Sequence, residues 1–275
     1  MDNISSKTLR KRGLRFYISI YFKIIAQDFK GKMSYRADFI ISTLGMILTN
    51  IAGFITFYIM FQSFSTINGW NYYEMLFLYG FSLIALTPMQ CLFDNNWNLR
   101  NYVYEGDFIK YCFRPINIFF YYISEVFDVK GLGQLLMGSI TLVYAWIKLC
   151  LPFNWSSVLF LIVAFLSASL FMIAMMNIAA ASCFWIINSG FVMVTMFKFT
   201  NYAKFPASIY DSFFRFIFSF IIPIAFVAYY PSLIFLRPAE IPILTYLSPV
   251  LGILFFYISY KIWMKGATKY SGTGN

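Results

Sequence analysis

Charged and aromatic side chains mix closely in the run Glu105-Gly106-Asp107-Phe108-Ile109-Lys110-Tyr111-Cys112-Phe113-Arg114-Pro115. Acidic residues at its start, and Arg114 then Pro115 at its end, satisfy ordinary helix start and stop rules, so the run predicts a short amphipathic helix. Read alone, it is a capped surface helix. Bond-making chemistry has little to work with elsewhere. The sequence contains no histidine, which removes the commonest general base and metal ligand and with them most intramembrane metalloprotease readings. It contains no G-x-x-x-x-G-K-[ST] phosphate loop, so the polypeptide is not expected to hold ATP itself. Asp38, Asp94, Glu125 and Asp128 fall near predicted membrane boundaries, where carboxylates are more often solvated than catalytic. No long span carries the paired carboxylates of a proton-coupled transporter. Cys91, Cys112, Cys150 and Cys183 form no CxxC pair and read as small apolar fillers, with no metal site expected. These features describe a transport or scaffold subunit whose energy comes from elsewhere.

The composition says which elements must carry that loop. Sixty per cent of the residues are apolar and 12% are charged, too little charge to cover a soluble domain of this length. Thirty-four Phe and 21 Tyr suit membrane spans and interfacial belts. The length allows about six spans of roughly 20 residues each, with short connections. The net charge of +10 is concentrated at the start, where nine of 21 basic residues precede Asp38. That is a cytoplasmic tail beside anionic lipid rather than a nucleic-acid surface. The first span follows this basic segment, so no cleavable signal peptide is expected. Arg15, Ser19, Lys23, Gln27 and Lys30 share one helical face, opposed by Tyr17, Ile20, Tyr21, Ile24 and Ile25, which predicts an interfacial helix over 13–32.

Phe39 to Gln62 carries no charge and predicts the first span. The loop Ser63 to Tyr73 has no Lys or Arg, which places it outside and the N-terminus inside. Met75 to Phe93, with Pro88, returns inward, and Leu132 to Ile147 crosses outward, starting a few residues earlier. Ser157 to Ile187 returns inward, and Ile241 to Tyr260 leads to an inside tail with Lys261, Lys265 and Lys269. Residues 188–236 allow two readings. Hydropathy favours Phe216 to Leu236 as the fifth span, despite Pro223 and Pro231. Alternatively Ser189 to Tyr202 crosses, with Lys198 inside the bundle, and Ser208 to Leu236 is a helical hairpin dipping in from outside. Broken backbone of that kind is tolerated only where protein buries it. Either reading leaves both termini inside.

The ordered set of motifs resembles permeases of the type-2 ABC exporter class, the branch of multidrug and uncharacterised export permeases of similar length. The resemblance runs from Tyr35 to Ser271. It rests on Tyr35-Arg36-Ala37-Asp38-Phe39, the acidic-Gly-acidic run ending in Arg114-Pro115, Phe127-Asp128, Pro206, Ile209-Tyr210, Ala228-Tyr229-Tyr230-Pro231-Ser232 and Lys269-Tyr270-Ser271-Gly272. It implies an all-α integral membrane fold, with an elbow helix within 1–37, a transmembrane domain over 38–264 and a cytoplasmic tail over 265–275. It implies six spans, a cytoplasmic coupling loop over about 97–130 and an external re-entrant hairpin over about 208–236, around Pro206, Tyr210, Pro223, Tyr229, Tyr230 and Pro231.

By the same resemblance two permeases, identical or homologous, pair in the cell membrane and dock on two ATP-binding subunits. ATP and Mg then belong to the partner, and Glu105 to Pro115 is the coupling helix. Phe108, Tyr111 and Phe113 are expected to anchor in the partner's groove. Glu105, Asp107, Lys110 and Arg114 are expected to set orientation by charge. Aromatics and Cys112 stand where the family is usually leucine-rich. The implied function is a permease exporting an amphipathic or hydrophobic substrate such as a drug, peptide or lipid-like molecule. A membrane-embedded lipid-modifying enzyme, or a non-energised channel or scaffold, is the alternative.

Overall fold

A computed structural model describes residues 13–33, 36–186, 188–238 and 241–270. Lys7, Arg10, Lys11, Arg12, Tyr35, Ile187, Ser271 and Gly272, and the side chains of Asp38 and Phe39, lie outside the described residues. The described chain is helical throughout, and no strand forms among its residues. Its helices are α1 (Leu14–Met33), α2 (Arg36–Ser63), α3 (Tyr72–Leu92), α4 (Leu99–Glu105), α5 (Ile109–Cys112), α6 (Ile118–Ser124), α7 (Lys130–Lys148), α8 (Trp155–Ala181), α9 (Gly190–Thr200), α10 (Ser212–Phe216), α11 (Tyr229–Leu236) and α12 (Ile243–Lys269). Four of them, α2, α3, α8 and α12, are long and apolar enough to cross a membrane. α7 is shorter and has a lysine at each end.

α3 is the hub. Every residue from Glu74 to Leu83 is buried, and α3 packs against both α7 and α8. The helix begins at a capping box: the Asn71 side chain accepts from Glu74 N–H at 3.0 Å, and Glu74 accepts from Asn71 N–H at 2.8 Å. α7 meets α3 through small residues on one face, Gly131, Gly138 and Ala145, while Leu132, Leu136, Ile140, Val143 and Ile147 face outward. Small residues let two helices approach closely where hydrocarbon offers no hydrophobic drive. A Cβ on Gly80 would stand 2.7 Å from the Leu142 nitrogen, and one on Gly138 would stand 2.9 Å from Leu83 Cβ. α8 and α12 form a second close pair, with Ser167 Oγ donating to Ser248 O at 2.6 Å. α2 is peripheral. Its Ile41, Leu44, Leu48, Ile55 and Ile59 are exposed at helical spacing, the pattern of a lipid-facing stripe.

Residues 188–236 do not form the single helix Phe216–Leu236 that hydropathy favours. α9 runs on through a 3₁₀ turn, Asn201–Lys204, and a two-legged hairpin follows. Its first leg is α10 continued by a π-helical turn, Ile217–Ile221. The chain reverses at Ile222-Pro223, because proline supplies no N–H and stops the helix. The second leg is a 3₁₀ turn, Ile224–Phe226, then α11, which tolerates Pro231 in its first turn. Ser219 and Tyr230 hydroxyls bond across the legs at 2.8 Å. Tyr210 packs on Phe218 at 5.0 Å, and Pro206 opens the short turn that leads into the hairpin. Both ends of the hairpin are tied to the turn between α2 and α3. Asn68 donates to Ser208 O at 2.6 Å and Trp70 to Ser208 Oγ at 2.8 Å. Arg237 donates to Gly69 O at 2.6 Å and pairs with Glu74 at 3.3 Å. The tip lies deep, with Phe226 stacked on Phe171 of α8 at 5.3 Å.

Overpacking a close helix crossing costs about 1–3 kcal/mol. Gly80→Ala is therefore expected to lower the unfolding temperature measurably in detergent. Gly45→Ala on exposed α2, where nothing lies within 4 Å, is expected to leave it unchanged or higher.

Candidate functional site

The residues joining α3 to α7 fold into a layer across one end of the bundle, and buried polar groups hold it there. The 3₁₀ turn Asp94–Trp97 buries Asn95 and Asn96. Asn95 Nδ2 donates to Tyr122 O at 2.7 Å, and the Tyr122 hydroxyl returns a bond to Asn95 O at 2.7 Å. Asn96 Nδ2 donates to Asn177 Oδ1 of α8 at 2.7 Å. These bonds tie α6 and α8 to the turn, although Asn177 Nδ2 is itself buried without a partner.

The run Glu105–Pro115 is not one helix. α4 ends at Gly106, whose φ of 85° lies in the left-handed region that glycine adopts freely. A single turn, α5, follows. The break lets Phe108 turn inward. Phe108 and Tyr111, expected to enter a partner's groove, are instead fully buried within this chain. Phe108 sits 5.1–5.9 Å, centroid to centroid, from Phe184, Trp263 and Tyr270. Burial, together with the Glu125 carboxylate that accepts from its hydroxyl, pushes the Tyr111 phenol far up, so Tyr111 remains a donor. Lys110 is also engaged at home: it pairs with Glu125 at 3.0 Å and lies 4.3 Å from the Tyr102 ring centroid. Glu105, Asp107, Cys112, Phe113, Arg114 and Pro115 are exposed. Phe113 is 80% exposed, and Arg114 lies 5.3 Å from the Tyr121 ring beside it. The outward set is therefore Glu105, Asp107, Phe113 and Arg114, on a base made by Phe108 and Tyr111.

α12 completes that base. It runs nine residues past Tyr260, to Lys269, where a tail was expected. This brings Trp263, fully buried, against Phe119 at 5.0 Å and Tyr122 at 5.2 Å. Tyr270 then donates to Gly106 O at 2.8 Å. Helix α1 docks on the same layer. Asp28 accepts from Phe127 N–H at 3.2 Å, and Lys32 donates to Phe127 O at 2.6 Å. The two side chains also pair with each other at 2.8 Å. Arg15, Ser19, Lys23, Gln27 and Lys30 are all exposed, as their spacing requires.

A family model described as "ABC-2 family transporter protein" matches residues 47–274. The chain belongs to that family. No curated protein and no solved structure matches it. An ABC-2 protein is a multi-pass permease subunit of an ABC transporter that works with an ATP-binding subunit. The match begins inside α2, so α1 and the Tyr35–Phe39 motif precede it. Trp263, Asn177, Asp28 and Lys32 are residues of this layer that motif reading missed. One signal for Trp263 was available: Lys261, Lys265 and Lys269 recur every four residues, a helical spacing in a stretch expected to be tail.

Phe108→Ala is expected to destabilise the protein by about 3–5 kcal/mol, the usual loss for a buried phenylalanine, whereas Phe113→Ala leaves thermal unfolding unchanged. Burial pushes the Asp94 carboxyl up to about 6; Asp128 adds to the shift and Lys32 opposes it. Since the folded value lies above the unfolded one, stability present at low pH is lost as pH rises through about 6. Asp94→Asn should match the wild type in thermal unfolding at pH 4 and exceed it at pH 8.

Proposed function

We propose that this chain is the permease subunit of an exporter, and that the exposed tip formed by Glu105, Asp107, Phe113 and Arg114 seats in a groove of the ATP-binding subunit. The observation that carries the reading is the contrast within one short loop, between a buried aromatic base and an exposed aromatic-charged tip. An exposed phenylalanine flanked by both signs of charge fits a partner pocket, with the aromatic supplying affinity and the charges orientation. The base passes a push on the tip into α12 through Trp263 and into α8 through Phe184. Through its own chain it also reaches α3 and α7. Closure of the partners around ATP and Mg would then rock these helices as a unit.

In this reading α2, α3, α7, α8, α9 with its 3₁₀ extension, and α12 are six crossings, with both termini cytoplasmic. The hairpin 208–236 is re-entrant from outside, which its ties to the α2–α3 turn support. Two permeases pair over two ATP-binding subunits in the cell membrane. The cargo is amphipathic or hydrophobic, in keeping with the aromatic lining of the bundle.

A photo-crosslinker at position 113 is expected to capture a soluble nucleotide-binding subunit from co-expressing cells. In proteoliposomes, Phe113→Ala with Arg114→Glu is expected to leave insertion and unfolding temperature intact while transport falls by about tenfold or more. That loss corresponds to about 1.4 kcal/mol of interface energy. Unchanged transport by the double variant sinks this docking surface.

A further inference from the structure

A cavity of about 360 Å³ lies between α2, α3, α7 and the end of α9, within the size range of small-ligand sites. Its walls mix apolar side chains with polar ones, and Asn50, Gln90, Gln134 and Lys204 are among the lining residues. Tyr79 and Gln90, both on its α3 wall, stand about 10 Å and about 27 Å along that helix from Tyr72. The cavity therefore runs lengthwise through much of the hydrocarbon depth of about 30 Å.

Among the described residues Lys204 is its one cation, and no carboxylate lines it. The ammonium lies 6.0 Å from the Tyr79 ring centroid and 5.5 Å from that of Phe205. No ion pair among the described residues involves it. The Tyr79 hydroxyl donates to the backbone carbonyl of Asn50 at 2.8 Å. Asn50 Nδ2 is buried without a partner, as is Gln90 Oε1. A lone ammonium and unpaired amides are costly at this depth and mark a functional site. Leu83, Leu86 and Phe197 supply an apolar wall in the same cavity.

We propose that this cavity binds an amphipathic anion, a carboxylate or phosphate head on an alkyl chain, with the head between Lys204 and Asn50 and the chain along the apolar wall. The head completes the ion pair that Lys204 lacks and accepts from Asn50 Nδ2. The lone cation selects an anion over a neutral amphiphile of the same length. Taking this ligand as the cargo rests on the permease reading above; the binding itself does not. It narrows the expected amphipathic or hydrophobic cargo to a charged class.

The test uses the full chain in phosphatidylcholine nanodiscs, without the ATP-binding subunit. Dodecyl phosphate and laurate are titrated against dodecanol, with binding followed by intrinsic fluorescence. The anions are expected to bind at least about tenfold tighter than the alcohol, the scale of a charged hydrogen bond. Lys204→Gln is expected to abolish that preference and Lys204→Arg to keep it. Equal binding of anion and alcohol, or undiminished anion binding by a Lys204→Gln protein with a normal size-exclusion profile, overturns the proposal.

A photoreactive alkyl phosphate locates the contact without any substitution. Labelling of the peptides holding Asn50 or Lys204 supports the site, and labelling only elsewhere overturns it. Phosphatidylglycerol added to the nanodiscs separates the sources: competition assigns the site to a bilayer lipid, and its absence to a single-chain amphiphile. Anion binding that persists while the tip variants leave transport unchanged would retain this site and sink the docking surface. The reverse result would do the opposite.

Discussion

Inside a bilayer every backbone N–H and C=O needs a partner within the protein, because hydrocarbon offers none. Long helices meet that demand locally, and α2, α3, α8 and α12 are long and apolar enough to do so. The hairpin between Tyr210 and Leu236 does not. Its reversal at Ile222-Pro223 survives because the chain satisfies itself there: Ile222 N–H donates to Ile217 O at 2.9 Å, and Phe226 N–H to Pro223 O at 3.2 Å. Protein also surrounds it, with Ile224, Ala225, Phe226, Val227 and Ala228 all buried. The rest of the bundle supplies that cover. The α3–α7 and α8–α12 pairs close through small residues, and the pinned ends of the hairpin insert it into the remaining space.

The same demand shapes the layer at the other end. Its connections are short helices and turns, whose loose backbone groups would be exposed to a partner or to lipid headgroups if the layer were free. Instead Asn95, Asn96 and Asn177 bind the turns from within, and the aromatic base of Phe108, Tyr111, Tyr122 and Trp263 seals them. Glycine at 106 is what permits the inward turn, since a side chain at φ 85° would be strained. The polar groups inside the bundle follow a different logic. Asn50 Nδ2 and Gln90 Oε1 have no partner, and Lys204 enters no ion pair among the described residues, a state that marks a candidate functional site in a membrane.

Composition and charge asymmetry determined that the chain is an all-helical, multi-pass membrane protein, because the cost of charge in hydrocarbon acts residue by residue. Periodicity determined α1 and its water-facing side, and the uncharged runs located α2, α3, α7 and α8 to within a few residues. The motifs were enough to identify the ABC-2 family. Only the tertiary structure decided which way each residue of the 105–115 loop points. Amphipathic spacing marks two faces without saying which meets the protein, and Gly106 reset the register in the middle of the run. Only the tertiary structure showed that 216–236 is not one helix, since hydropathy sums over a window and cannot see a reversal at Pro223. Trp263 and Lys204 illustrate the same limit. Each acquired its role from neighbours more than 100 residues distant in the chain, Phe108 for one and Tyr79 for the other, and packing over such separations leaves no local trace.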